Sequence, residues 1–282
     1  MMTKSIKMIG LDLDGTLLTS GKVLTAHTQE VLRKAIEQGV VVLPATGRPF
    51  TGIPGEVIQF PGIRYALTAN GARVIDMQEH RIVYECLVPY ETAKRLLDIM
   101  GKYDAILEVY YDGVGYASEH MLNRVDEFFS EAPMAEYVRS TRRPVPDVRS
   151  FFEEHHRGSD KVQGVFLNQE DKKKALEEIL REVSDVEVTG ALINNIEVNA
   201  AGVSKGKTLV NLGRLLGIAR EEIMACGDGT NDTDMLREAG FGVAMANAVD
   251  EVKRVADVIT ASNDEEGVAG AIEKYVLNIV EK

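Results

Sequence analysis

Ile9-Gly10-Leu11-Asp12-Leu13-Asp14-Gly15-Thr16 is the stretch on which the reading of this chain turns. The apolar run from Ile6 to Leu13 has the length of a short buried strand, and it leads into two carboxylates and a glycine. Residues two apart on a strand point to the same side, so Asp12 and Asp14 can converge at its carboxyl end. Ligands of open α/β sheets bind at those ends. Both side chains would be ionised at neutral pH, because a free Asp titrates at ~3.9. Two such charges ~4 Å apart repel by roughly 4 kcal/mol at an effective dielectric of ~20. The pair therefore calls for a nearby cation or a retained proton, which points to a metal site or acid–base chemistry. Asp-Gly is also an ordinary turn dipeptide, so the octet alone leaves a plain polar turn open.

Short strands and helices alternate after the octet. Thr25 can cap a helix that carries Val31, Leu32, Ala35 and Ile36 on one face, with Gly39 at its end. Val40-Val41-Val42-Leu43 reads as a strand buried on both faces and runs into Thr46-Gly47-Arg48. Tyr65 to Thr68 is a third run, ending in Ala69-Asn70-Gly71. This alternation predicts an α/β fold with a doubly wound parallel sheet.

The composition becomes more aromatic and more charged after about Ile82. Tyr103 to Tyr116 reads as strand–turn–strand around Asp112-Gly113, Arg139 to Arg149 as a Pro/Arg-rich connector, and Ala175 to Val183 as helix. The stretch 84–189 is expected to be an α+β unit inserted into a core made of 1–83 and 190–282. The doubly wound pattern is expected to return near Ile196. A helix through Leu209, Leu212, Leu215 and Leu216 follows, then the strand Ile223 to Cys226. Phe241 to Ala246 and Ala256 to Thr260 complete the sheet, and a final helix runs from about Gly267 to Val280.

The bulk properties exclude several classes. A chain of 282 residues with 45% hydrophobic and 27% charged residues is an ordinary globular protein that needs no staple. A net charge of −12 argues against a sequence-independent nucleic-acid binder and against a surface that seeks anionic lipid. Cys86 and Cys226 are read as two free buried thiols, with a disulfide between them left open by the sequence. The first residues lack the apolar core of a signal peptide, and no stretch approaches ~18 uninterrupted apolar residues. A cytoplasmic location is the expectation. Oligomeric state is not legible.

Asp228-Gly229-Thr230-Asn231-Asp232 repeats the logic of the octet, since an apolar strand again ends in carboxylates, glycine and small polar residues. If both strands lie in one parallel sheet, Asp12, Asp14, Asp228 and Asp232 share an edge. Hard oxygen donors of this kind suit Mg²⁺. Lys205 opens a helix, where a cation opposes the helix dipole and so calls for an anionic partner. Thr46 and Gly47 offer a hydroxyl and backbone N–H groups at another strand end, donors suited to phosphate oxygens. Ala201 to Thr208 nearly fits a P-loop, but Ala201 stands where that loop needs its first glycine.

Asp12-Leu13-Asp14-Gly15-Thr16, Thr46-Gly47-Arg48, Lys205 and Gly227 to Asp232, in this order, resemble the four motifs of the haloacid-dehalogenase-like phosphatases. Asn70-Gly71-Ala72, Gly242 to Ala248 and Ser262 to Val268 resemble its Cof-type subgroup. The resemblance implies a Rossmann-like core with an inserted cap that chooses the substrate. It implies Mg²⁺ and an aspartyl-phosphate mechanism. By resemblance Asp12 is nucleophile and metal ligand, Asp14 is general acid/base and a ligand through its carbonyl, and Asp228 completes the metal set. Thr46, Gly47, Lys205, Asn231 and the backbone of Leu13 would hold the phosphoryl oxygens, with Asp232 in support. The expected partner is a small phosphorylated metabolite, with sugar phosphates foremost. A phosphomutase or a non-catalytic Mg²⁺/phosphate sensor would use the same fold. Tyr110, Tyr111, Arg142, Arg143, His155 and His156 are candidates to touch the substrate from the inserted unit.

Overall fold

The computed structural model describes residues 5–130, 132–190 and 193–279. The strands are, in chain order, β1 (Met8–Leu11), β2 (Val41–Pro44), β3 (Tyr65–Thr68), β4 (Arg73–Asp76), β5 (Arg81–Glu85), β6 (Ala105–Tyr111) and β7 (Val114–Ser118), followed by β8 (Arg142–Val145), β9 (Lys161–Phe166), β10 (Val186–Thr189), β11 (Asn195–Ala200), β12 (Ile223–Gly227), β13 (Phe241–Ala244) and β14 (Val258–Ile259). The chain divides into two compact units. One holds the residues up to Gly47, Ile53–Tyr84 and Ser204 onward, and the other holds Arg48–Gly52 and Glu85–Val203.

The first unit is built on a five-stranded sheet in the order β14-β13-β12-β1-β2, with every neighbouring pair parallel. Every residue of β1 and β12 is buried, as expected of parallel strands covered on both faces. Thr25 caps the helix Ala26–Glu37, its side chain accepting from Thr28 N at 3.2 Å, and Val31, Leu32 and Ala35 form the buried stripe. β1 lies between β2 and β12, with Leu11 level with Pro44 on one side and Cys226 on the other. Parallel pairing thus puts the carboxyl ends of three strands on one edge, where the chain continues into Asp12, Thr46 and Asp228.

β3 departs from the sequence expectation. It pairs antiparallel with β4 in the sheet β3-β4-β5 and touches the end of β2 through one parallel bridge, Ala45 to Leu67. A four-residue apolar run does not encode the direction of its neighbour.

The second unit is a six-stranded sheet in the order β10-β11-β9-β6-β7-β8, antiparallel except for β7 with β8. Ile106, Ala117 and Val165 project from its strands into a cluster with Leu122, Val125, Phe128 and Val138. The expected hairpin around Asp112-Gly113 is β6 and β7, with positive φ at both turn residues. Other expectations are corrected. β11, which contains Ile196, belongs to this sheet and pairs antiparallel with β9 and β10; the next strand of the parallel sheet is β12. The stretch Arg139 to Arg149 contains β8 as well as helix ends. Pro144 is compatible with that strand because β8 is the edge of its sheet. The helix expected over Ala175 to Val183 is present and begins earlier, as Gln169–Glu182, capped by Asn168, whose side chain accepts from Asp171 N at 2.9 Å. The last helix covers Gly267–Tyr275. Val280 and the first four residues, on which the reading of the amino terminus drew, lie outside the described residues. Among the described residues no helix is long and apolar enough to cross a membrane.

Candidate active site

The site grows from the shared edge of β1 and β12. The Asp12 N–H donates to the Cys226 carbonyl at 3.0 Å, so the parallel ladder continues one residue past β1 and delivers the Asp12 side chain to the β12 end. Asp12 is buried, with 7% of its surface exposed. Lys205, the first residue of the helix Lys205–Leu215, is buried too, and its Nζ donates to Asp12 Oδ1 at 2.6 Å and Asp232 Oδ1 at 2.7 Å. These are the anionic partners that a lysine at a helix start requires. The other oxygen of Asp232 accepts from the Asp228 and Gly229 N–H groups, each at 3.0 Å. Asp232 therefore stitches Lys205 to the loop that presents Asp228. Only glycine permits this at 227, because a Cβ there would lie 2.5 Å from the Asp232 Cβ.

Asp228 accepts from Thr16 Oγ1 at 2.6 Å, which ties the β12 loop to the loop after β1. Gly15 has φ +79°, and a Cβ on it would sit 2.4 Å from Asp228 Oδ2. One ligand atom from each of Asp12, Asp228 and Asp232 lies within 4.8 Å of the others. Burial holds the Asp12 carboxyl well above the usual carboxylate range, with Asp232 adding to it and Lys205 opposing. Burial likewise pushes Asp228 up to about 6, against the hydrogen bond from Thr16. Lys205 titrates above its ordinary value, since Asp12 and Asp232 together outweigh its burial. Three carboxylates around one ammonium ask for further positive charge, and an all-oxygen set suits a hard divalent cation.

Asp14 is placed differently. Its carboxylate accepts from Lys22 Nζ at 2.6 Å and is partly exposed. The family resemblance implies metal binding through its backbone carbonyl, and its side chain is not one of the three grouped carboxylates. Leu13 lies in the same loop, its carbonyl accepting from Leu18 N at 2.9 Å. Thr46 is buried at the end of β2, where its N–H donates to the Leu67 carbonyl at 3.0 Å and its carbonyl accepts from Asn70 N at 3.0 Å. Asn231 Nδ2 donates to Asn70 Oδ1 at 3.3 Å, and the same Asn70 oxygen packs against Gly47. Asn70 thus joins the β2 end to the β12 loop. Its role was not read from the sequence; its left-handed backbone, φ +58°, beside Gly71 is the local trace of it.

In the second unit, Tyr110 and Arg142 both engage Glu108, the arginine Nε donating at 2.8 Å. Tyr111 stacks on His155, His156 packs against Tyr90, and Arg143 lies over Tyr116. Cys86 and Cys226 are free thiols, but only Cys226 is buried as the sequence predicts, Cys86 being half-buried; burial pushes the Cys226 thiol up to about 12.

The family described as haloacid dehalogenase-like hydrolase matches residues 9–272 of this chain. A Bacillus subtilis relative named 5-amino-6-(5-phospho-D-ribitylamino)uracil phosphatase YcsE is 31% identical over 274 residues, which cover 96% of each chain. A haloacid dehalogenase-like hydrolase of B. subtilis superposes with a TM-score of 0.83 at 28% identity, covering 95% of this chain and 99% of the other. BT4131, a sugar phosphatase of HAD subclass IIB, superposes with a TM-score of 0.79 at 26% identity, covering 97% and 100%. The chain belongs to the haloacid dehalogenase-like hydrolases, in the Cof-type subgroup, and is a phosphatase.

Proposed function

We propose that this Cof-type phosphatase is a Mg²⁺-dependent phosphomonoesterase that passes the phosphoryl group through Asp12. The observation that carries the reading is the buried constellation in which Lys205 bridges Asp12 and Asp232 beside Asp228. The donor set fits Mg²⁺: clustered carboxylate oxygens, surplus negative charge, and a glycine at 15 that leaves room against Asp228. Asp12, Asp228 and the Asp14 carbonyl would hold the ion. When bound, Mg²⁺ offsets the charge of the phosphate and of the carboxylate that attacks it.

Asp12 Oδ attacks phosphorus, and the bond to the ester oxygen breaks. Asp14 gives its proton to the departing alkoxide and then takes one from the water that hydrolyses the aspartyl phosphate. Lys205, the Thr46 hydroxyl, Gly47, Asn231 and the Leu13 N–H would bind the phosphoryl oxygens, where charge builds in the transition state. Asp232, whose oxygens accept from Lys205, Asp228 N and Gly229 N, holds that ammonium in position. Both YcsE and BT4131 are named for phosphate esters of polyhydroxylated groups, which supports a substrate of that class, sugar or polyol phosphate, for this chain. The second unit would choose among such leaving groups, since phosphate and metal contacts are common to all of them. The phosphomutase and sensor alternatives gain no specific observation.

The test uses purified wild type with Mg²⁺ and a panel of sugar and polyol phosphates, beside Asp12→Asn. Wild type should release inorganic phosphate and, when quenched, carry a phosphoryl adduct on Asp12; the variant should be folded and inactive. An adduct on another residue, or full turnover in EDTA, overturns the reading.

A further inference from the structure

Two sequence segments have no task in the chemistry above, Gly242 to Ala248 and Ser262 to Val268. They meet at the turn that carries Asp14. Asn247 Nδ2 donates to the Gly15 carbonyl at 2.8 Å, and Asn247 Oδ1 accepts from Asn263 N at 3.0 Å. Asn263 Nδ2 donates to the Leu18 carbonyl at 3.0 Å. The Ser20 N–H and hydroxyl both donate to the Asp264 carboxylate, each at 2.7 Å. The turn's own amides point the other way: Leu17 N donates to the Asp12 carbonyl at 3.1 Å and Leu18 N to the Leu13 carbonyl at 2.9 Å. Its outward carbonyls at 15 and 18 are thus taken by two side-chain amides that reach across more than two hundred residues of sequence.

Asn263 is buried and Asn247 is exposed. A hydrogen bond from an exposed amide adds little net stability, because water competes for both partners. Its effect is geometric: it fixes the carbonyl of the residue next to Asp14. We infer that Asn247 and Asn263 are positioning residues, a relay that sets the backbone of the Asp14–Leu18 turn and thereby the reach of the Asp14 carboxyl to the ester oxygen. The inference rests on the reading of Asp14 as the general acid.

The discriminating experiment compares an alkyl ester, a polyol phosphate, with p-nitrophenyl phosphate. An alkoxide needs the proton of Asp14, whereas a nitrophenolate leaves almost without it. Misplacement of a reacting group by about 1 Å costs roughly 10²-fold. Asn247→Ala is therefore expected to lower kcat on the alkyl ester by about 10–100-fold, to lower p-nitrophenyl phosphate turnover several-fold less, since the Asp14 carbonyl on the same turn would also hold the metal, and to leave both KM values and the melting temperature close to wild type. Asn247→Asp, which still accepts from Asn263 N but cannot donate to Gly15, should show the same split, and it stands in if the alanine variant folds poorly. Equal losses on both esters, or no loss on the alkyl ester, overturn the relay. A second readout does not depend on turnover: Asn247→Ala and Asn263→Ala should each speed hydrogen exchange at the Leu17 and Leu18 amides. Unchanged exchange in both variants overturns the relay even if wild type hydrolyses neither ester, an outcome that would separately defeat the assignment of activity.

Discussion

Lys205 in the first unit and Lys161 in the second are both about 1% exposed, yet their surroundings drive them in opposite directions. Lys205 donates to two carboxylates, and they hold its ammonium more firmly charged than in water. Lys161 pairs with Glu197 at 3.0 Å and lies over the Tyr110 ring, and burial lowers its titration against the pull of Glu197. The wider clusters differ in the same way. In the second unit Glu108 is matched by Arg142 and Glu197 by Lys161, so charge is balanced within the cluster. In the first unit Asp12, Asp228 and Asp232 surround one lysine and leave an anionic excess. A buried cluster whose charges pair off calls for no further ion, even though Glu108 Oε1 is left without a hydrogen-bond partner. An unbalanced one is costly to keep unless a cation or substrate completes it, and this is how a functional site differs from an equally buried structural network.

The largest expected effect breaks the balanced side. Arg142→Met leaves the Glu108 carboxylate buried without its cation, and loss of one partner of such a pair costs about 3–5 kcal/mol. Urea unfolding should show that loss. Glu108→Leu combined with Arg142→Met should recover most of it, because charge and countercharge leave together. If the double variant is as unstable as the single one, the cluster is not self-contained and the contrast fails.

Next in size is the opposite response in the first unit. Asp228→Asn removes one of the surplus charges while keeping the shape and an oxygen for Thr16. In EDTA this variant is expected to be more stable than wild type by about 1–2 kcal/mol, given that one pKa unit corresponds to ~1.4 kcal/mol, while phosphatase activity is lost. A stability below wild type would mean that the carboxylates are already compensated without metal.

The smallest effect is one of pH. Folded Asp228 titrates at about 6 and an unfolded Asp at ~3.9. The folded state therefore binds the proton more tightly, and in EDTA this carboxyl makes stability rise as pH falls from 7 through about 6, levelling off below the unfolded pKa of ~4. The raised Asp12 acts in the same sense. Saturating Mg²⁺ prefers the ionised carboxylates, so it should stabilise most near neutrality and flatten or reverse the trend. A metal-free melting temperature that falls steadily from pH 7 to 5 would contradict the surplus.

The two clusters were not equally legible in the sequence. Asp12, Asp228 and Asp232 stand where apolar runs end in glycine and small polar residues, a pattern that marks strand ends in α/β sheets. Lys205 stood out because a helix start disfavours a cation. Glu108, Lys161 and Glu197 lie inside strands among aromatic and β-branched residues, where a charged residue normally implies a solvent-facing position. Only their cross-strand partners, set by a register the sequence does not state, explain their burial. The same limit hid β11, whose apolar alternation fits either sheet. Asn70, Asn247 and Asn263 were visible as parts of motifs, but their work is done through hydrogen bonds to distant carbonyls, and no local pattern names the far end of such a bond.

The position of β1 governs when Asp12 and Asp228 can meet. Its neighbour β12 pairs Met8 with Ile223, so the strand that bears Asp12 lacks one flank until more than two hundred further residues have left the ribosome. All six strands of the second unit's sheet lie between them in the chain, within Glu85–Val203, and can pair earlier. During synthesis the second unit's strands can therefore pair while the edge of β1 that faces β12 is still open. A chain interrupted anywhere before Ile223 has no place to bring Asp12 and Asp228 together. A pairing between strands so far apart in sequence belongs to the high-contact-order part of the fold, and the Asp12–Asp228 edge can be completed only once Ile223 and the residues after it have been made.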